Sequence, residues 1–182
     1  MRRLLISLLT ACASTGASAA DDRGIQQAVY AFKLFSAACV ATYGLQRRVD
    51  EWALNSAPAE FSPESAREYL RGKNGRIWLF LGDLGKFHVI SQEGGICTVQ
   101  AERVNAAALR DLYDNFLRDL PRGYKTALLE EGTRATSRGD LYSLVHDSES
   151  ATTGIILRTL LSTSESESAY NQGLLTLSAR RR

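Results

Sequence analysis

Histidine, cysteine, methionine, tryptophan and proline are all scarce in this chain, at two, three, one, two and three residues of 182. That scarcity removes most of the common routes to a catalytic or metal centre. His88 and His146 each stand alone inside a run of strand character, with no second ligand at metal spacing, and two isolated histidines do not encode a zinc site. The expected place for either is the solvent side of its strand. No C-x-x-C pair occurs, and no electropositive neighbour in sequence would lower a thiol pKa, which argues against a redox pair. The G-x-S-x-G, H-E-x-x-H, EF-hand and dinucleotide signatures are missing. No catalytic residue, metal ligand or cofactor is therefore assigned. The segment Gly82-Asp83-Leu84-Gly85-Lys86 has some look of a phosphate loop but fails on spacing, and Phe87 stands where Ser or Thr is needed. A hairpin turn rich in Gly and Asp accounts for it. Glu130 and Glu131, adjacent in a strand, point to opposite faces and form no dyad by themselves.

An excess of charge of one sign is also missing. The start of the chain, MRRLLISLLTACASTGASAADD, holds two arginines, a short apolar run from Leu4 to Leu9 and small residues ending Ala17-Ser18-Ala19. This is the pattern of a secretory signal, with cleavage expected between Ala19 and Ala20 and a run too short to span a bilayer. A competing reading is carried by Leu9-Thr10-Ala11-Cys12, which has the form of a bacterial lipobox and would make Cys12 a lipidated first residue. Removing residues 1–19 takes away Arg2 and Arg3, so that 22 basic residues against 20 acidic become 20 against 20. Three of the remaining cations are the terminal Arg180, Arg181 and Arg182, expected as a frayed end. Nucleic acid is excluded as a partner, since it calls for a clustered basic surface. No later stretch is long and apolar enough to cross a membrane, so the mature chain should have no transmembrane segment. Residues 20–182 have the size of one domain, and an apolar content of 45% is enough for a core.

The best-defined stretch runs from Arg76 to Gln100, RIWLFLGDLGKFHVISQEGGICTVQ: three strand-like runs separated by two turn signals. Such a meander needs its apolar face covered. Ahead of it, Ile25, Val29, Phe32, Phe35, Cys39, Tyr43, Val49 and Trp52 recur mostly at steps of three or four, the stripe of a long helix over Gly24–Asn55. Asp21 and Asp22 suit its N-terminal cap, and Gly44 marks a kink or break. Ser62-Pro63-Glu64 starts a short helix that Gly72, Asn74 and Gly75 stop. After the meander, Asn105 caps a helix with Ala108, Leu109, Leu112, Tyr113, Phe116, Leu117 and Leu120 on its apolar face, ending before Pro121. Alternation then returns over 124–131, 140–147, 152–163 and 173–178, with the polar loop STSESES between the last two. The expected fold is α+β: an antiparallel sheet of about seven strands, built as a three-strand meander, a helix and four strands. One face should be covered by the long N-terminal helix and a second helix. Helix-then-strands occurs twice without a residue-level repeat. The long apolar run over Thr152–Thr163 should be central in the sheet, because an edge of that kind invites aggregation.

In an exported chain that has lost Cys12, the remaining Cys39 and Cys97 lie on the helix stripe and in the third strand of the meander that this helix covers. A Cys39–Cys97 disulfide is the leading reading, and two separate buried thiols packing as small hydrophobes is the other. A Cys–His nucleophile pair would compete for the same sulfurs.

Phe35 and Cys39 on the first helix, Trp52, Gly75 and Trp78 entering the meander, Cys97-Thr98-Val99, and the late Leu160-Leu161-Ser162-Thr163-Ser164 together resemble a family of small exported proteobacterial proteins of unknown function, some carrying a lipoprotein description. The resemblance covers most of the mature chain through structural rather than catalytic residues. It implies export, an envelope location and a shared fold, and it supports the Cys39–Cys97 pairing. The functional expectation is a periplasmic or envelope domain that binds an envelope protein or a small ligand through a sheet face or edge. A small periplasmic hydrolase or thiol enzyme, and a membrane-anchored structural lipoprotein, are the alternatives. A pocket gathering polar side chains would favour the enzyme; an exposed apolar patch or unpaired strand edge would favour binding.

Overall fold

The computed structural model describes residues 16–56 and 58–182, and within them the burial of side chains from Asp21 onward except Glu68. The Leu4–Leu9 run and Cys12 lie outside the described residues, as do the side chains at the Ala19–Ala20 junction.

Helix α1 (Gly16–Leu34) runs on into a π-helical turn over Phe35–Val40, in which Ala41 N–H bonds Ser36 O at 3.0 Å and Gly44 N–H bonds Cys39 O at 2.9 Å. The chain breaks at Tyr43 and Gly44, both left-handed (φ 56° and 65°), before α2 (Gln46–Asn55). The long helix expected over Gly24–Asn55 is thus two helices, and Gly44 is where the break falls. A side chain there would be doubly unfavourable: φ is positive, and a Cβ would sit 2.8 Å from Gly95 O, because the helix end presses on the sheet. Ala28, Ala31, Phe35, Ala38, Cys39, Val49 and Ala53 form the buried side. Ile25, counted on the stripe, is exposed. Asp21 and Asp22 do not cap, since the helix begins upstream at Gly16; Asp21 Oδ1 instead accepts from Asn105 Nδ2 at 2.7 Å.

Strand β1 (Ala59–Glu60) leads to α3 (Pro63–Leu70), capped by Ser62 Oγ on Ser65 N–H with Pro63 in the first turn. Then come β2 (Gly75–Gly82), β3 (Gly85–Gln92) and β4 (Ile96–Ala101), followed by α4 (Ala106–Arg118), capped by Asn105 Oδ1 on Ala108 N–H at 2.9 Å. The second half is β5 (Tyr124–Thr136), β6 (Gly139–Ser150), β7 (Ile155–Thr163) and β8 (Gly173–Arg181). All pair antiparallel in one sheet of order β1-β2-β3-β4-β8-β7-β6-β5. The last strand of each half pairs with the last of the other, so the strand order reads alike from both ends.

The α+β class and the antiparallel sheet match expectation; two details do not. The sheet has eight strands rather than about seven, because β1 is two residues long and too short to show alternation. The helices also do not all lie on one face. α1, the π-turn, α2 and α4 cover what we term the inner face, where Trp78, Phe87, Val89, Cys97, Val99, Leu161, Leu175 and Leu177 meet Phe35, Leu109 and Tyr113. α3 instead lies on the outer face, where Ala66 and Leu70 pack on Ile77 and Ile90. The physical reason is readable in the strands: Ile77 and Trp78 are adjacent and both buried, as are Phe87 through Ser91. A strand buried on both faces reads as a continuous apolar run and needs a cover on each side.

β7 lies between β6 and β8, in the sheet interior as expected. Of the two edge strands, β1 is only two residues long, and the long exposed one, β5, is guarded by Lys125, Glu130, Glu131 and Arg134 and by a bulge between Leu128 and Glu130. The terminal arginines are not frayed. β8 extends to Arg181, Arg180 reaches Asp147 at 3.5 Å and Arg182 reaches Glu149 at 3.0 Å.

Candidate functional site

Beyond α3 the outer face is bare, and where α3 stops a groove of about 620 Å³ opens over β3, β4 and β8. Period-two alternation sets its floor. Residues that face away from the inner core line up across the sheet as His88, Gln100 and Leu174 in one row and as Ile90, Thr98 and Thr176 in the next. Tyr69 and Arg71, at the end of α3, form one wall. Tyr170 and Asn171, from the connection between β7 and β8, stand at the Glu102 end, where Asn171 Nδ2 donates to Gln100 Oε1 at 3.3 Å. Thr98 and Thr176 share a hydroxyl hydrogen bond of 2.9 Å across the β4–β8 junction.

His88 is the distinctive member. It is 5% exposed, edge-on to Phe61 at 5.6 Å and tilted against Tyr69 at 5.4 Å between ring centroids. Its Nδ1 is enclosed and has no hydrogen-bond partner among the described residues. A charged ring would put a buried N–H at Nδ1 with nothing to accept it, so the neutral ring protonated on Nε2 is favoured. Burial accordingly lowers its pKa; Glu102 opposes this and Lys86 adds to it. His88 therefore lines the groove as a neutral donor, not as a solvent-facing residue.

The connection that carries Tyr170 is held from behind. The Arg138 guanidinium, in the β5–β6 turn, lies 3.5 Å from the Tyr170 ring centroid, and Ser168 Oγ donates to Arg138 O at 2.9 Å. That approach depends on Gly139, whose φ is 106° and where a Cβ would collide with the Ser166 side chain. Tyr170 itself is 73% exposed, an unusual setting for a large ring.

The residues singled out from sequence are distributed otherwise. Cys39 and Cys97 are joined by a disulfide, with Cα atoms 5.3 Å apart, deep on the inner face and away from the groove. With each sulfur bonded to the other, neither is a nucleophile. His146 lies on the inner side at half burial, where its Nδ1 meets Tyr113 Oη at 3.2 Å; Tyr113 Oη also bonds Thr159 Oγ1 at 2.8 Å. Burial pushes the Tyr113 hydroxyl up to about 12 and lowers the His146 pKa. Gly82–Gly85 is the β2–β3 turn, as expected. No group of His, Cys, Asp and Glu able to hold a metal occurs among the described residues.

A second polar cluster lies under α2. There Arg76 bridges Glu60 at 2.7 Å and Asp50 at 3.6 Å, and burial raises the Asp50 pKa against the pull of Arg76. Arg76 answers both carboxylates, although Asp50 Oδ1 is buried without a hydrogen-bond partner among the described residues.

Tyr69, Gln92, Gln100, Tyr170 and Thr176 carried no motif, Thr98 entered only within the Cys97-Thr98-Val99 resemblance, and none was singled out from sequence as a binding residue. The available signal was a lone tyrosine inside the Ser/Glu-rich stretch STSESESAYNQ, and small polar residues at alternate positions of strands whose other side is core. Comparison with known protein families, with curated proteins and with solved structures finds no match to the chain.

Proposed function

We propose that this is an exported envelope protein that works without catalysis, by binding a small polar ligand in the outer-face groove. The observation that carries the reading is His88: a histidine at the floor of an open groove, buried and neutral, with aromatic and carboxamide side chains around it. Pockets of this size with a few convergent polar groups are the usual setting of ligand sites. The groove does gather polar side chains, which the enzyme alternative also calls for. Its two threonine hydroxyls, however, bond to each other, and among the described residues His88 has no hydroxyl or carboxylate in hydrogen-bond contact. A nucleophile, a base and a group that orients the base are the minimum for covalent catalysis. Export is supported by the signal-like start and by a disulfide, which persists in oxidising compartments.

The test is to purify the protein from its native envelope, measure its intact mass, denature it and identify the released small molecules. A chain beginning at Ala20 and a compound released by the wild type but not by the groove-filling Thr98→Phe variant are expected. A lipid-modified Cys12 would overturn the cleavage reading, and identical release from both proteins would overturn the groove.

A further inference from the structure

The geometry points to a neutral saccharide as the ligand of this groove, an inference that rests on the binding reading above. The groove follows the strand direction from Gln92 to Glu102. The stretch of β3 beneath it, from Gln92 to Lys86, spans seven residues, roughly 20 Å at strand rise. That accommodates more than one sugar ring. Charge is confined to the two ends. Arg71 lies at the Gln92 end, because α3 stops beside the Gly75–Gln92 pair. Glu102 lies at the other end, 3.6 Å from the Lys86 ammonium. A phosphate needs clustered cations, and Arg71 is the one cationic side chain in the lining. A free amino acid needs a carboxylate receptor and an ammonium receptor a few ångströms apart, which opposite ends of the groove do not supply.

Between those ends the lining is what a polyhydroxylated ring requires. The carboxamides of Gln92 and Gln100 each donate and accept, one of the Thr98 and Thr176 hydroxyls keeps its proton while the other donates in their mutual bond, and the neutral His88 ring carries its proton on Nε2. Sugar hydroxyls also donate and accept, so every such group can be satisfied without a change of protonation. Two tyrosines complete the site. Tyr69 is 40% exposed with its body anchored on Phe61 and His88, and Tyr170 is exposed with Arg138 behind it. Aromatic faces are electron-rich and accept the C–H side of a sugar ring while the hydroxyl edge turns to the floor. Both rings line the same groove, one from α3 and the other from the β7–β8 connection, and a stacking role accounts for their place.

The test uses the exported protein labelled for backbone amide NMR and titrated separately with maltose, lactose, N,N′-diacetylchitobiose, adenosine and glycylglycine. At least one disaccharide should shift the amides of Thr98, Gln100, Leu174 and Thr176. Tyr170→Ala, at an exposed loop position that leaves the core untouched, should weaken that binding by roughly tenfold, and Tyr170→Phe should retain it. If no disaccharide acts while adenosine or glycylglycine shifts the same amides, the saccharide assignment is overturned and the groove stands as a site of another class. If no probe of any class shifts them in a folded sample, the binding reading fails as well. A disaccharide whose shifts lie elsewhere, or whose affinity is unchanged in Tyr170→Ala, also overturns the assignment.

Discussion

Removing the Cys39–Cys97 bridge should cost a large part of the stability of this fold without changing it. The two residues are 58 apart in sequence, and closing a loop of that length restricts the unfolded chain by about 4 kcal/mol in the chain-entropy account. Both side chains are fully buried, so Cys39→Ala with Cys97→Ala also leaves two sulfur-sized voids, a further cost on the order of 1 kcal/mol. Against a typical margin of roughly 5 to 15 kcal/mol this is severe. The fold should nonetheless survive, because Cys97 stays paired with Ser91 and Leu177 in the sheet interior and Cys39 stays flanked by the buried Phe35 and Ala38. For a chain of this size the loss corresponds to a fall in Tm of roughly 10 to 20 °C. Differential scanning calorimetry of the double variant, with far-UV circular dichroism to confirm the fold, measures it. Thiol titration of the denatured, unreduced envelope protein checks the bond directly, and none should titrate from a chain beginning at Ala20. Two free thiols, or a Tm within about 2 °C of the wild type, would refute the reasoning.

Burial lowers the pKa of both His88 and His146 below the ordinary 6.5, so the unfolded chain binds more protons between the folded values and 6.5. Stability should therefore be full above 6.5 and decline as pH falls through that window, and denaturant midpoints for His88→Gln should show a shallower decline. Asp147, held low chiefly by hydrogen bonds from Arg158, adds stability that is present above its ordinary 3.8 and is lost as pH falls through its folded value; Asp147→Asn should blunt that acid limb. Tyr113→Phe removes the hydroxyl that bonds Thr159 and His146, leaves the buried Thr159 hydroxyl without that partner, and should cost roughly 1 to 3 kcal/mol in urea unfolding. Amide exchange over 155–161 should be among the slowest in the protein, since β7 is bonded on both edges; fast exchange there in the folded monomer would contradict the strand order.

Local pattern alone determined much of this molecule. The meander from Gly75 to Ala101, the caps at Ser62 and Asn105, and the buried stripe through Phe35 and Cys39 each follow from spacing and from capping chemistry, which act within a few residues. The pairing of Cys39 with Cys97 was the leading reading, because a helix stripe and a strand that must cover one another bring two known positions together, and the structure decided it against two separate thiols. What alternation cannot state is which side of a strand receives which cover. His88 and Cys97 both look like ordinary residues of strands, yet one faces α3 and the other the α1 side, since β2 and β3 are apolar on both faces and α3 was free to take the second. The same ambiguity hid the groove. Thr98, Gln100 and Thr176 have the spacing of any solvated strand face, and Tyr170 is a single ring in a polar loop. They became one site only when β4 and β8, 72 residues apart at the paired Ala101 and Gly173, were laid side by side. That pairing is decided by burying the inner core of both halves at once, a property of the whole sheet and of no local segment.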